Sequence, residues 1–304
     1  MSFEYWFMFP IAIAIATIAL ASGVEGATFF TPIFILGLGL PAEVAIGTGL
    51  MTEVFGFASG LYAYTRKGLI DYKLGVMLLS ISIPTALLGT WLGRMIPADV
   101  LKGILSVGLF AIASSFLRSP EPATVKLLDK DIKSHHNAPQ TCITTKAGET
   151  FCYTIGNRTE GRLLIGIGGL FLGMVSTGLG ELNGYFLLQR CHVPSKVAVA
   201  TSVFIVAITA LIASVGHAIG FIQEGGGVLN TVLSLVIFTA PGVIIGAQLG
   251  SIVANRLPQK LLERGMGILF ILVGILVLAE VAVRKTDTLA SLLFSLLSLI
   301  FCEL

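Results

Sequence analysis

Eight apolar segments dominate this chain of 304 residues, and most approach the roughly 17–25 residues that a helix needs to cross a bilayer. They lie near 5–21, 44–64, 74–93, 103–117, 162–175, 197–222, 230–254 and 265–283, and a shorter one covers 288–302. Charged residues make up only 12% of the chain, against about 25% in soluble domains. A backbone at membrane depth must satisfy its own hydrogen bonds. The sequence therefore predicts an all-α, polytopic integral membrane protein.

The chain also contains an internal duplication. Three pairs of stretches match in the same order and at nearly constant offset: 41–48 with 194–201, 84–93 with 241–250, and 96–101 with 257–262. The first match aligns Thr48 with Thr201. We predict a first membrane repeat, a polar inter-repeat loop, a second membrane repeat and a C-terminal hydrophobic helix, at 1–117, 118–160, 161–284 and 285–304.

Each half opens with an apolar segment that glycine and polar residues interrupt. The first interruption runs from Ser22 to Pro32, and a looser copy runs from Ser176 to Tyr185. The apolar pieces that follow, 27–39 and 181–190, are too short to span a membrane comfortably. If each broken segment is a re-entrant hairpin, each half has three full spans, and the halves are inverted. A parallel arrangement with four crossings per half remains the alternative.

Positive charge favours the inverted arrangement. It places eight cations on one face, namely Arg66, Lys67, Lys73, Arg190, Lys196, Arg256, Lys260 and Arg264. The other face receives Arg94, Lys102, Arg284 and Lys285. Cytoplasmic loops are enriched in Lys and Arg, so the first face is predicted to be cytoplasmic. The polar loop then lies in a reducing compartment, which argues against a disulfide between Cys142 and Cys152.

Four ionisable residues are predicted to lie at membrane depth: Glu25, Glu53, Glu181 and His217. Ionisable groups at membrane depth are costly and usually functional. Glu25 and Glu181 occupy corresponding broken segments, so we expect them to carry protons or to gate a cavity, with Glu53 and His217 as candidate members of the same system. The alternative is structural: the carboxylates cap broken helices, and Glu53 and His217 are satisfied packing partners.

Neutral hydrogen-bond donors and glycines form the second group of candidates. A broken helix offers free backbone N–H groups and the positive end of its dipole, so it can bind an anion without Lys or Arg. The predicted substrate-binding residues are Gly23, Gly26, Thr28, Thr31, Thr48, Gly178, Gly180, Asn183, Thr201 and Gln248. For any single threonine the alternative is back-bonding within its own helix.

Other classes of protein fit the sequence poorly. No spacing of His and Cys resembles a zinc site, and every Asp lies at a segment edge or in a loop, so we predict no metal, no cofactor and no enzyme. Nothing indicates nucleic-acid binding, and no ATP-binding motif is present. The expected partners are a small anionic solute and the lipid bilayer; the oligomeric state is open and a homo-oligomer is compatible with the sequence. The predicted function is secondary transport, with a passive anion or proton channel as the alternative.

The broken first segments, the Pro41 and Pro194 helix starts and the Pro84 and Pro241 repeats resemble the TauE/SafE family of sulfite and organosulfur-anion exporters. The resemblance covers about 5–117 and 161–283. It implies a multi-pass transporter in the plasma membrane (the bacterial inner membrane) that exports small sulfur-containing anions, sulfite foremost. For the mechanism we expect alternating access at a midplane site between the repeats. A permease for another organic anion, such as a sulfonate, is the alternative. The second copy of the glycine-rich segment departs from the first, with Asn183-Gly-Tyr where the first has Phe30-Thr-Pro.

Overall fold

A computed structural model describes residues 3–22, 25–117, 141–146, 148–153, 155, 158–191, 193–225, 227–254, 264–265 and 267–283. A 3₁₀ turn at Phe3–Tyr5 precedes the helices α1 Met8–Ser22, α2 Ala27–Leu36, α3 Ala42–Lys67, α4 Tyr72–Met95, α5 Ala98–Leu117, α6 Arg158–Val175, α7 Leu179–Gly184, α8 Ser195–Glu224, α9 Val228–Ala254 and α10 Gly267–Val283. Four of them, α3, α4, α8 and α9, are long and apolar enough to span a membrane. The predicted polytopic helical architecture is confirmed, whereas the predicted C-terminal helix at 285–304 lies outside the described residues.

Proline, aspartate and glycine set the ends of the long helices. Pro41 and Pro194 are the N-caps of α3 and α8, where a missing N–H does no harm. The side chain of Asp71 caps α4 by accepting a hydrogen bond from the Leu74 N–H at 2.9 Å. Gly68 ends α3 in a left-handed conformation, with φ 67°, that few other residues adopt. These residues fix the corners from which the central helices run.

The first helix of each half packs against a helix of the other half. In the α1–α9 contact, a Cβ on Gly242 would meet Phe9 and Ala12, and one on Gly246 would meet Ile13 and Ala16. The α4–α6 contact repeats this arrangement: Gly169 faces Ser82 and Thr85, and Gly173 faces Ala86. In both contacts the residue numbers rise together, so each pair of helices runs in the same direction. Small residues let these backbones approach closely.

The two central helices, α3 and α8, run in opposite directions. Gly47 near the start of α3 contacts Phe221 near the end of α8, and Gly60 contacts Val203 near the start of α8. We define one side of the protein as the hairpin face, after the β-hairpin that lies there and is described below. It is the side where α3 ends and α4, α6 and α8 begin, around Lys67, Asp71, Arg158 and Ser195. The opposite face is the side where α3 and α9 begin and α4 and α8 end.

Two hydroxyl pairs reveal how the halves correspond in space. Thr52 of α3 bonds Thr239 of α9, and Thr209 of α8 bonds Ser82 of α4, both with an Oγ–Oγ distance of 2.8 Å. One constant offset relates Thr52 to Thr209 and Ser82 to Thr239, and the same offset relates Pro84 to Pro241. It pairs Thr201 with Val44.

The sequence match of Thr48 with Thr201 is therefore wrong by one helical turn. The reason is length: α8 starts one turn further from its hydroxyl pair than α3 does, so the prolines that cap them are not spatial equivalents. Thr48 instead donates to the carbonyl of Val44 at 2.6 Å.

The polar loop contains a small β-hairpin. Strands β1 Thr141–Thr144 and β2 Thr150–Tyr153 pair antiparallel, with Cys142 opposite Cys152. These two cysteines form a disulfide bond. The argument against a disulfide is therefore wrong, because the strand register brings the two cysteines to directly opposed positions.

Candidate functional site

The two broken segments meet inside the protein, as the duplication predicts. The Thr28 and Thr177 hydroxyl oxygens lie 3.0 Å apart, and those of Thr31 and Ser176 lie 2.8 Å apart. All four side chains are almost fully buried. We call this meeting point the junction and define it by residues 25–31 of the first half and 176–183 of the second. The junction is a polar contact made of helix breaks from both halves.

The two halves build their breaks differently. In the first half, Gly26 has helical dihedral angles and leads directly into α2. In the second half, Ser176 and Gly178 both have positive φ, 56° and 104°, so the chain turns sharply before α7 begins. Gly178 requires its glycine, because a side chain is strained at such a φ. A π-helical turn, Tyr185–Arg190, then continues α7.

Glu25 and Glu181 each accept a backbone hydrogen bond at the junction. Glu25 reaches across to the other half, where the Gly180 N–H donates to its Oε1 at 2.5 Å. Glu181 bonds within its own segment, where the Gly178 N–H donates to its Oε2 at 3.1 Å. A side chain on Gly180 would collide with the Glu25 carboxylate, so this glycine permits the contact. Both carboxylates therefore cap broken backbone, as the structural alternative anticipated, and each keeps a second oxygen free for another partner.

Several polar atoms at the junction have no hydrogen-bond partner in the described part of the chain. They are Glu25 Oε2, Glu181 Oε1, both carboxylate oxygens of Glu53, and both amide atoms of Asn183. Glu53, near the middle of α3, lies beside the junction, since its Oε1 would be 3.8 Å from a Cβ on Gly26. Buried polar groups are normally satisfied by protein, water or a ligand. The junction thus has the unmet hydrogen-bonding capacity of a solute site.

The three carboxylates interact electrostatically. Glu25 lies near both Glu181 and Glu53; Glu25 and Glu53 are buried, and Glu181 is half-buried. Neither broken segment contains Lys or Arg. Like charges that share a desolvated site repel strongly. Three simultaneous negative charges at this place are therefore electrostatically unfavourable.

Two separate hollows, an outer and an inner one, lie along α3 and α9 and together form what we call the groove, between the hairpin face and Glu53. Its outer part is a cleft of about 670 Å³ lined by Phe55, Ala58, Ser59, Tyr62, Ala63, Arg66, Lys67, Ile244 and Gln248. Its inner part is a cavity of about 40 Å³ lined by Ala16, Ala19, Gly26, Phe30, Glu53, Gly56, Phe57, Val243 and Ala247. The inner cavity has room for about one water molecule. Arg66 and Lys67 give the mouth of the groove a positive charge that attracts anions.

The remaining predicted residues lie outside the junction. Thr48 bonds within its own helix, next to Gly49, which packs against Thr31. Thr201 is near the hairpin face, where its Oγ1 accepts a hydrogen bond from the Asp71 N–H at 3.0 Å. Gln248 lines the outer cleft and donates to Ser59 Oγ at 2.8 Å. His217 Nε2 lies 3.0 Å from the Gly173 carbonyl, in the last turn of α6. Gly23 lies outside the described residues.

Two features of the polar contacts are not among the residues predicted from the sequence. Ser176 and Thr177 supply half of the hydroxyl contacts at the junction, and their hydroxyls beside the glycines were the available signal. Lys102 of α5, buried to 3% exposure, donates to both carboxylate oxygens of Glu280 of α10 at 2.5 and 2.7 Å. Both residues sit near helix ends, where sequence reading assigns charges to the water interface. In the described part of the chain, no group of three His, Cys, Asp or Glu residues is arranged to hold a metal ion.

The fold and the junction together define a multi-pass membrane protein with a buried polar site between two duplicated halves. Comparison with known proteins gives the class: the sulfite exporter TauE/SafE profile matches residues 8–277, and the chain belongs to this family of membrane transporters, which are not enzymes.

Several curated relatives are probable membrane transporter proteins. YunE of Bacillus subtilis (strain 168) is 26% identical over 232 residues, which cover 76% of this chain and 79% of YunE. YdhB of the same organism is 24% identical over 257 residues, or 84% of this chain and 93% of YdhB. ORF9 of Sinorhizobium sp is 34% identical over 87 residues, or 29% of this chain and 33% of ORF9. No solved structure matches the chain.

Proposed function

We propose that this protein is a secondary transporter that exports small sulfur-containing anions, sulfite first among them, across the plasma membrane of a bacterium. The observation that carries the proposal is the junction, where hydroxyls from both halves meet in a buried site, beside carboxylate and amide atoms that have no partner among the described residues. Membership of a family described as sulfite exporters supports the substrate class. The substrate-binding role falls on Gly26, Thr28, Thr31, Gly178, Gly180 and Asn183, with Gln248 on the approach.

The proposed architecture is a pair of inverted repeats. Its support is directional: α3 runs opposite to α8, while α9 runs with α3 and α4 runs with α8. The segment that runs from α6 through α7 and the π-helical turn, which we call the α6 hairpin, returns to the side on which it starts. Arg190 at its end pairs with Glu160 at the start of α6 at 2.6 Å. This geometry fits a re-entrant hairpin and three full spans in each half, with the junction near mid-depth.

In the proposed orientation the hairpin face is cytoplasmic. Arg66, Lys67, Lys73, Arg190 and Lys196 all lie at helix ends on this face, as the positive-inside rule requires. The groove between α3 and α9 opens toward the same side. An anion from the cytoplasm would then be attracted by Arg66 and Lys67, move past Gln248 and reach the junction next to Glu53.

Transport proceeds in this proposal by rocking one half against the other around the junction. An anion and an ionised carboxylate exclude each other there, so Glu25, Glu181 and Glu53 are protonated while the anion is bound. In this proposal protons carried by these carboxyl groups cross the membrane together with the anion. His217 bonds the α6 hairpin to α8, and its place in this system is to hold the second break rather than to contact the solute.

The test is radiolabelled sulfite flux in proteoliposomes containing the purified protein. We expect saturable flux that increases when the loading side is acidified. Glu25→Gln, which mimics the neutral carboxyl group, should abolish the response to a pH gradient, whereas Glu160→Gln, on the hairpin face, should keep it. Absence of flux contradicts the transport proposal, flux that does not saturate favours a passive channel, and flux indifferent to the pH gradient contradicts proton coupling.

A further inference from the structure

The disulfide of the β-hairpin is open to solvent. Cys142 and Cys152 are paired across the two strands, and both residues are exposed, whereas Tyr153 beside them is buried. The outer surface of the hairpin thus presents the disulfide, and the inner surface presents Ile143, Phe151 and Tyr153 to the helices. A sulfur nucleophile in the surrounding water can reach this bond directly.

The inner surface of the hairpin ties the two halves together. The Tyr153 hydroxyl donates to Asp71 Oδ2 at 2.6 Å, and the Asp71 N–H in turn donates to Thr201 Oγ1 of α8 at 3.0 Å. The Lys146 N–H donates to the Lys67 carbonyl at 3.2 Å. Burial and the neighbouring Asp71 raise the pKa of the Tyr153 phenol, so it keeps the proton that it donates. Phe151 also packs against the cluster of Leu69, Ile70 and Ala200, so the hairpin is a strap between the α3–α4 corner and the start of α8.

The strap depends on the disulfide for its persistence. The strap also makes an ion pair, Lys196 with Glu149 at 3.0 Å, between two side chains that are more than half exposed. Exposed ion pairs contribute little to stability. A two-stranded hairpin by itself is only marginally stable in water. The disulfide closes the loop between the strands and so limits the freedom of the undocked chain. Opening this bond should loosen the docked hairpin.

The location of the disulfide determines which molecules it can meet. The hairpin lies on the cation-rich face, which the proposed orientation puts in the cytoplasm, where disulfides are typically transient or redox-sensing. The proposed substrate, sulfite, is itself a sulfur nucleophile. Its accumulation on this side would place the nucleophile and the exposed disulfide in the same compartment, beside the mouth of the transport groove.

We propose that the Cys142–Cys152 disulfide is a reaction site for sulfite and that its opening releases the strap; the proposal rests on the proposed function. The sulfite sulfur attacks one cysteine sulfur, the S–S bond breaks, and an S-sulfocysteine forms. The other cysteine leaves as a thiolate, which takes a proton from water. When sulfite falls, this thiolate attacks the S-sulfocysteine, expels sulfite and restores the disulfide, so neither direction needs an oxidant or a reductant.

The modification is tested on the purified full-length protein in detergent. The protein is incubated with sodium sulfite, free thiols are alkylated, and the cysteine peptides are mapped by mass spectrometry. We expect one S-sulfonate and one alkylated thiol on the Cys142 and Cys152 peptides, and loss of the S-sulfonate when sulfite is removed before alkylation. Sodium sulfate, an oxyanion without a nucleophilic sulfur, serves as the matched control, and Cys142→Ser/Cys152→Ser must show no adduct there.

A parallel arm with glutathione distinguishes sulfite from cellular thiols. Reaction with glutathione but not with sulfite, at sulfite concentrations that saturate flux, overturns the assignment. Reaction with sulfite supports it, whether or not glutathione also reacts.

The functional consequence is measured as the initial rate of flux. Cys142→Ser/Cys152→Ser should raise the rate and remove any further increase on exposure to sulfite. Tyr153→Phe keeps both cysteines but removes the bond to Asp71, and should raise the rate in the same way. Unchanged rates in both variants overturn the strap. Adduct formation without any sulfite transport leaves the reaction site standing and contradicts the proposed function, whereas transport without an adduct does the reverse.

Discussion

The two broken segments are copies of one element, yet they have diverged more than the helices around them. After Gly26 the first continues as a regular ten-residue helix, whereas the second turns through left-handed Ser176 and Gly178 into a six-residue helix and a π-helical turn. By contrast, the hydroxyl pairs of the scaffold, Thr52–Thr239 and Ser82–Thr209, have kept the same geometry in both halves. Symmetry is preserved where the halves pack and lost where they form the site.

The largest effect should come from a methyl group at the contact between the two breaks. The Cβ added by Gly180→Ala would lie 2.6 Å from Glu25 Oε1 and displace the carboxylate from the second half. We expect sulfite flux to fall at least about tenfold, the equivalent of 1.4 kcal/mol. Gly184→Ala, in the same segment and with nothing within 4 Å, should leave flux unchanged. Equal flux in both variants would remove Glu25 from the site.

A second test concerns the tight helix pairs that carry the symmetry. A Cβ on Gly173 would overlap the Ala86 carbonyl. The residue of α1 that corresponds to Gly173, by the same constant offset, is Ala16, so the first half carries a methyl group at this position. Overpacking of this kind lowers the free energy of unfolding by about 1–3 kcal/mol. Thermal unfolding in detergent should therefore show a lower Tm for Gly173→Ala, and no decrease for Gly103→Ala in α5, which faces open space. An unchanged Tm at Gly173 would mean that the α4–α6 contact is looser than its glycines imply.

The one-turn shift between Thr48 and Thr201 predicts unequal roles. Thr201→Val removes the acceptor of the buried Asp71 N–H and should lower the free energy of unfolding by about 1–3 kcal/mol. Thr48→Val removes only a bond to the backbone of its own helix and should therefore lower stability by less than Thr201→Val does. Thermal unfolding of the two purified variants measures the difference. Equal losses would restore the equivalence that the sequence match suggested.

The hydroxyl pairs between the halves test symmetry most directly. Thr52→Val and Thr209→Val each remove one hydroxyl pair, and each should lower the free energy of unfolding by about 1 kcal/mol. Because these residues are counterparts, the two losses should agree within about 0.5 kcal/mol. Denaturation of both variants under the same detergent conditions provides the comparison, and a large difference would show that the scaffold is less symmetric than its contacts.

Much of the fold could be predicted because its causes are periodic. Apolar length marked the long helices, Pro41 and Pro194 marked helix starts, and the repeated Pro84 and Pro241 stretches revealed the duplication. That the breaks meet followed from the duplication itself. Helix starts, however, do not fix depth: one extra turn at the start of α8 was enough to misalign Thr201, because the sequence match is anchored on Pro41 and Pro194, which are not spatial equivalents.

The site was only partly predictable, because it depends on long-range contacts. Glu25 was recognised from its apolar surroundings, but its bond to the Gly180 N–H depends on a left-handed turn at Gly178 that the sequence does not specify. The pairing of Lys102 with Glu280 joins residues far apart in the chain, and the disulfide follows from strand register within a loop whose charge suggested only a solvated segment.

The exchange of first helices between the halves has a consequence for biogenesis. Thr17 of α1 bonds the carbonyl of Gly246, a partner 229 residues further along the chain. At about 5–20 residues per second, the ribosome needs roughly 10–50 s to reach it. Throughout that interval α1 is present without α9, the glycine-containing helix against which it packs. Insertion and assembly are therefore separate events in this protein, and a polypeptide arrested after the first half would leave the small-residue surface of α1 facing lipid.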